Sequence, residues 1–294
     1  LMVKKICILI ATYKRKLSLI KLLKSLTNLQ IPSNANIQIL ISANDNQNYS
    51  EIYKLFKHKL KIRIVRERKK GISYARNKYL NETKYKNYDY FAFFDDDVQV
   101  DKKWLVEMLK FIKKNNVDII GGPQLTRSSS LFSRLLIREE KHGSRIRWAS
   151  TNNCFLKKTV LKNNLNFSNK LNLIGGEDQL FFLLQKQKGF QISWNQKAKV
   201  FEEKKTYRDN LSWFIKRNFR YGASSYIIYK NAYGNIIGIF YLFVKLMLDL
   251  IRSIFYLIFS IGLSKKTFYK FLMYLSRFTG SIFGLLGFQY KEYA

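Results

Sequence analysis

Three consecutive carboxylates, Asp95-Asp96-Asp97, close the apolar run Tyr90 to Phe94. Packed together they repel one another, and in a chain with 53 Lys and Arg against 20 Asp and Glu they are poorly explained as solubilising decoration. Asp95 and Asp97, two apart on a turn, have the spacing at which carboxylates reach one Mg2+ or Mn2+ that also bridges two phosphate oxygens and neutralises a departing diphosphate. A second acidic pair, Glu177-Asp178, follows Gly175-Gly176 where a helical pattern begins. There a carboxylate can take the proton of an attacking hydroxyl in a single displacement, and the glycines suggest a flexible approach to it. With His58 and His142 as the only histidines, and Cys7 and Cys154 lacking paired spacing, an imidazole zinc site, a Ser-His triad or a disulfide has almost no raw material. Carboxylates are left to carry catalysis, and the cysteine usage reads as intracellular.

The elements that must position these groups alternate. Ile6 to Ile10 form an apolar run ending at Ala11-Thr12-Tyr13-Lys14-Arg15, and Leu19, Leu22, Leu23 and Leu26 follow at helical spacing. Ile37 to Ile41 end in Ser42-Ala43-Asn44-Asp45-Asn46; Ile62 to Val65 lead into a helix from about Gly71 to Leu80; the strand before Asp95 is followed by a helix to about Lys113 that Asp101 is placed to cap. Repeated strand-then-helix units predict a mostly parallel sheet flanked by helices, which binds ligands at the carboxyl ends of its strands. Thr126 to Arg147, rich in Ser and Arg, reads as irregular.

These segments together resemble the motifs of family 2 glycosyltransferases with the GT-A fold. The opening Ile8-Leu9-Ile10-Ala11-Thr12-Tyr13-Lys14-Arg15, then Gly71-Ile72-Ser73-Tyr74-Ala75-Arg76-Asn77, Phe93-Phe94-Asp95-Asp96-Asp97 and Gly175-Gly176-Glu177-Asp178 are similar to that family's motifs and stand in its order. Weaker similarity continues through Trp213, Arg217, Phe219, Arg220, Tyr221 and Gly222.

The resemblance implies an inverting, metal-dependent transfer of a sugar from a nucleotide-diphosphate donor, a UDP-sugar first, to an acceptor hydroxyl. It implies that Ala11, Thr12 and Tyr13 line the base, that Arg15 lies near the diphosphate, and that Gly71 and Arg76 help hold the donor. Asp95 would sit near the ribose beside Asp96, Asp97 would ligate Mn2+ or Mg2+ together with Asp95, and Asp178 would be the general base with Glu177 beside it. Asn44 or Asp45 would read the base, at a turn where the family usually carries paired aspartates. Trp148, Asn152 and Asn153 are candidates to touch donor sugar or acceptor. On this reading residues 1–125 are the nucleotide-sugar-binding half, 126–205 the acceptor-binding and catalytic half of the same domain, and 206–294 a basic, aromatic helical region.

That last region carries 12 basic and 3 acidic residues after Thr206. Its longest uncharged runs, Asn231 to Val244, Ser253 to Ser264 and Phe278 to Tyr290, fall short of the roughly 18 to 20 residues of a spanning helix. Lys245, Asp249 and Arg252 share one helical face, as do Lys266, Lys270 and Arg277, leaving apolar and aromatic residues opposite. The pattern predicts an in-plane interfacial anchor on an anionic leaflet. With the resemblance, it implies a lipid-linked or cell-surface glycan precursor as acceptor, at the cytoplasmic face of the bacterial inner membrane. An ordinary helical core, a homodimer interface, or two membrane segments joined at Gly262 are the other readings of this region. No secretory signal is read in residues 1–5.

Two other functions fit parts of the sequence. Aspartates on a parallel sheet also serve metal-dependent nucleotidyl or phosphoryl transfer, but a phosphate-cradling Gly-Lys-Ser/Thr loop is missing. The charge of +33 and interleaved aromatics suit a non-enzymatic nucleic-acid-binding protein, but no recognisable module appears and the acidic turn repels phosphates without a metal, so no nucleic acid is expected.

Overall fold

Five residues of the first strand, Ile6 to Ile10, are almost completely buried, as a strand covered on both faces and flanked on both edges must be. In the computed structural model, which describes residues 3–83, 87–203, 206–260 and 264–290, this strand is β1 (Lys4–Thr12). Leu1, Met2 and Gly262 lie outside the described residues, as do Lys204 and Lys205 beside the expected 205/206 boundary.

The first half then runs α1 (Lys16–Thr27), β2 (Ala35–Ala43), α2 (Ser50–Phe56), β3 (Ile62–Arg66), α3 (Ile72–Thr83), β4 (Tyr90–Asp95), β5 (Val98–Val100) and α4 (Trp104–Lys114). After these come β6 (Ile119–Gly121), β7 (Gln124–Thr126), α5 (Leu131–Leu135), β8 (Cys154–Lys157), α6 (Lys158–Leu161), α7 (Glu177–Gln187), β9 (Ile192–Trp194) and β10 (Val200–Glu202). Helices α8 (Leu211–Ala223), α9 (Ser225–Tyr233), α10 (Asn235–Ile258) and α11 (Lys265–Leu285) follow.

Seven strands form one sheet in the order β3-β2-β1-β4-β8-β6-β9. It is parallel except for β8, which runs antiparallel to β4 and β6. Alternating side chains of β1 serve two cores: Ile6, Ile8 and Ile10 pack with Leu19, Leu22, Leu23 and Leu26 of α1, while Cys7 and Leu9 pack with Tyr79 of α3 and Phe91 and Phe93 of β4. Three short strands make a second sheet, β5-β10-β7.

Local expectations are corrected at three places. β5 intervenes between the acidic turn and α4, and Asp101 does not cap that helix. Its carboxylate accepts the Lys103 N–H at 2.8 Å and its carbonyl accepts the Trp104 N–H at 3.0 Å, so α4 opens at Trp104 without a side-chain cap. The segment 126–147, read as irregular, contains the five-residue helix α5. Helix α2, absent from the sequence reading, follows the Asn44-Asp45 turn and buries Ile52 and Phe56.

The chain divides into two compact units. The first comprises residues 1–127, 138–169 and 181–203, and holds both sheets; the second comprises 128–137, 170–180 and 204–294. Within the second unit α8 and α11 pack backbone against backbone. A Cβ added at Gly280 would meet the Phe219 carbonyl oxygen at 2.1 Å, and one at Gly222 the Arg277 carbonyl oxygen at 2.2 Å, so only glycine fits at this crossing.

Candidate active site

Parallel register brings three strand ends side by side: Thr12 pairs with Ala43, and Ala11 with both Ser42 and Asp95. Everything that follows β1, β2 and β4 therefore emerges at one edge of the first unit, where a doubly covered parallel sheet leaves backbone and polar groups for a ligand.

Asp96 is the buried centre of this edge, 4% exposed. It accepts from the Thr12 hydroxyl at 2.8 Å and from Arg15 Nη1 at 3.2 Å, and the same guanidinium nitrogen reaches Asp97 at 3.1 Å. Asp95 points elsewhere, to Arg76 at 3.0 Å. Arg76 is itself buried and stacked over the Phe167 ring at 5.5 Å from its centroid. The Asp96 carboxyl is pushed up to about 6, by burial first and by the charge of Asp97 second, against the downward pull of Arg15 and Thr12. Burial and mutual repulsion thus outweigh the guanidinium at this turn.

The turn after β2 is equally organised. Asn44 donates its amide to the carbonyls of Glu67 at 3.1 Å and Lys69 at 2.7 Å, and accepts the Gly71 N–H at 2.7 Å. Its side chain is committed to holding the loop before α3, whose Gly71 has a φ of 134° in the region open to glycine. Of the two residues expected to read a base, Asn44 is thereby employed as a brace. Asp45 accepts from the backbone of Lys14, from Gln47 N–H at 2.9 Å and from Tyr49 hydroxyl at 2.9 Å, and a carboxylate has acceptor capacity beyond three bonds. Burial, then the bond to Asp45, drives the Tyr49 phenol far above its ordinary value, fixing it as a donor. Tyr49 was missed in the sequence because its role depends on α2. Tyr13 is 39% exposed, with the Lys14 ammonium 5.3 Å from its ring centroid.

In the second unit, Glu177 and Asp178 open α7. Glu177 is buried, and Asp178, half-buried, accepts the Gln179 N–H at 2.8 Å. The preceding glycines do not lend flexibility, as the sequence suggested. Both have positive φ, 79° and 91°, and a Cβ at Gly175 would meet Arg220 Nη1 at 1.8 Å while one at Gly176 would meet Ile228 Cδ1 at 2.6 Å. Arg220, buried, donates to the Ile174 carbonyl at 3.2 Å. The turn is clamped, and it holds the carboxylates at a fixed helix start; the signal in the sequence was the second arginine of Arg217-Asn218-Phe219-Arg220.

The weaker candidates separate. Asn153, 1% exposed, donates to the Pro123 and Ala198 carbonyls at 2.9 and 2.8 Å and accepts from Trp104 Nε1 at 2.7 Å. It joins strands and helix and has no face for a substrate. Asn152 is half-buried and bonds Gln124. Trp148 is half-buried beneath Arg138, whose guanidinium lies 4.4 Å from its ring centroid.

Among the described residues no group of three or more His, Cys, Asp and Glu side chains is gathered as a metal cage. The donor set at the turn suits a hard cation nonetheless: oxygens only, on adjacent residues. Mg2+ is commonly held by one or two carboxylates with substrate phosphates and water supplying the rest.

Residues 7–171 match the model of glycosyl transferase family 2. The succinoglycan biosynthesis protein ExoM of Rhizobium meliloti is 26% identical over 226 residues, 73% of this chain and 72% of that protein. Among solved structures, a mannosyltransferase from Pyrobaculum calidifontis in complex with GDP-Man and Mn2+ superposes with a TM-score of 0.63 at 12% identity over 96% of this chain and 87% of that one. TarS 1–349 of S. aureus in complex with UDP-GlcNAc does so with a TM-score of 0.59 at 14% identity over 97% of this chain and 93% of that one. In a second TarS structure this chain spans 39% of the length. The match of the family model over more than half the chain, on a GT-A sheet with the motifs at its strand ends, means that this chain belongs to glycosyl transferase family 2 and is a glycosyltransferase.

Proposed function

We propose that the chain is an inverting transferase that moves a sugar from a nucleoside diphosphate, a UDP-sugar, to a hydroxyl of a lipid-linked or cell-surface glycan precursor. It would act at the cytoplasmic face of a bacterial inner membrane, in polysaccharide assembly. The observation that carries this reading is the convergence of Thr12, Arg15, Asp45, Arg76 and Asp95 to Asp97 where three parallel strands end. In support, ExoM is named for succinoglycan biosynthesis, and the two solved structures hold UDP-GlcNAc and GDP-Man.

In this reading Thr12, Tyr13 and Asp45 hold the base, with Tyr49 fixing the Asp45 carboxylate. Ala11 is a strand-end backbone position beside the donor, Arg76 orients Asp95 toward the ribose, and Gly71 gives α3 its tight entry. Asp97, with Asp95, would hold Mn2+ or Mg2+, which when bound neutralises the diphosphate. Arg15 contributes charge at the same place, and Asp96 anchors Thr12 and Arg15 from beneath. Asp178, beside Glu177, takes the acceptor proton as the hydroxyl oxygen bonds to the anomeric carbon. The carbon–oxygen bond to the diphosphate breaks and its electron pair leaves with the phosphate. One displacement inverts the configuration. Trp148 and Asn152 remain candidate sugar contacts.

A thermal-shift panel of UDP- and GDP-sugars with Mn2+ tests the donor, since a ligand that binds only the native state raises its stability. A rise with a UDP-sugar, followed by transfer of radiolabelled sugar, is expected; no rise with any nucleotide sugar contradicts the reading.

A further inference from the structure

Helix α10 is inverted with respect to a helix in water, where polar residues face out and apolar ones in. Its inward stripe, Gly238, Leu242, Leu246, Asp249 and Ser253, is buried and carries a charge. Lys245 Nζ joins it, donating to Asp249 at 2.7 Å and to the Ser281 hydroxyl of α11 at 2.9 Å. Contacts of Lys245 with Ser281, Arg252 with Tyr274 and Tyr256 with Lys270 run α11 antiparallel to α10. The outward face is apolar from end to end: Ile236, Phe240, Phe243, Ile251 and Ile258 are 86, 62, 57, 62 and 61% exposed. Large apolar side chains exposed along one whole helix face are the pattern of a binding face. The face that carries Lys245 and Asp249 is turned in toward α11.

We infer that this outward face of α10 embeds in the hydrocarbon of an anionic bilayer leaflet, with the helix lying in the membrane plane. The inference rests on the membrane reading above and names the surface that makes it. Two observations select the occupant. No helix among the described residues is long and apolar enough to cross a membrane, which leaves an in-plane placement. Lys216, Lys230, Arg252, Lys265 and Lys266 are exposed on the same unit, while Asp209 and Asp249 are engaged by Ser128, Ser133 and Lys245. That charge complements anionic headgroups and sets two copies of the unit against each other.

The test labels the full chain with an environment-sensitive fluorophore at Phe243→Cys, at Ile251→Cys and, as a control in the other unit, at Leu55→Cys, which is 58% exposed. Native Cys7 and Cys154 are buried and leave the label selective. Vesicles are phosphatidylglycerol and phosphatidylethanolamine carrying spin-labelled acyl chains. Blue-shifted, quenched emission at positions 243 and 251 but not at 55 is expected, and Phe243→Asp/Ile251→Asp should lower vesicle binding at least ~10-fold. Sedimentation with vesicles while both positions stay unquenched overturns this inference and leaves membrane association to another face. No sedimentation overturns the membrane reading itself. A blue shift without lipid, with doubled mass in analytical ultracentrifugation, assigns the face to a second copy and also overturns the inference.

Discussion

At the ends of β1, β2 and β4 an apolar sheet gathers charge at its edge, Arg15 and Asp95 part-exposed over buried Asp96, Asp97 and Arg76; along α10 an apolar exterior hides a charged pair within. On the proposed reading the same ingredients are sorted differently because the environments to be met differ. A phosphate ligand rewards fixed charges on a rigid edge, whereas hydrocarbon rewards an apolar exterior and tolerates charge only where it is paired inside. On that reading the buried Lys245–Asp249 pair is a packing device, and the acidic turn a working one.

The two regions should answer substitution differently. The largest effect is expected at Asp178→Asn: with the proton acceptor gone, turnover should fall by roughly 100- to 10,000-fold while donor binding is retained. Steady-state kinetics beside donor titration checks both, and unchanged turnover would remove the role of general base.

On the other side, Asp249→Leu should cost about 3 to 5 kcal/mol in urea unfolding, because it leaves the largely buried Lys245 ammonium without its counter-charge. The double Lys245→Met/Asp249→Leu should recover most of that loss. If the double variant is as unstable as the single one, the pair does more than fill space and the contrast between the regions weakens.

The smallest effect concerns pH. The native state holds a proton on Asp96 between the ordinary 3.8 and about 6 that the unfolded chain has already lost. Folding stability contributed by this group therefore falls as pH rises through that window. Asp96→Asn should flatten the slope, read as urea midpoints in EDTA at pH 4.5 and 6.5; an unchanged slope would place the burden on another group.

How far the sequence reached follows from the range of its signals. Strands β1 to β4 and helix α1 were legible because continuous apolar runs and the period of 3.6 are local patterns. The shared edge at the ends of β1, β2 and β4 followed, since parallel strands put their turns at one end. The antiparallel β8 was not legible, because its apolar residues read the same in either direction. The roles of Asn44 and Asn153 depend on carbonyls 23 to 45 residues away, and local periodicity carries no such partner. The inward face of α10 was beyond reach for a related reason: spacing shows that Lys245 and Asp249 share a side, but only the position of Ser281 on α11 tells which side is in.

The central claim is that the acidic turn after β4 receives the diphosphate through a divalent ion. Calorimetric titration of UDP into the wild type and Asp97→Ala, in EDTA and in Mn2+, tests it most directly. Binding at least ~10-fold tighter with Mn2+ in the wild type, a difference of about 1.4 kcal/mol, and no metal effect in Asp97→Ala, is the predicted result. Equal affinity in EDTA and Mn2+, unaltered by Asp97→Ala, would contradict it.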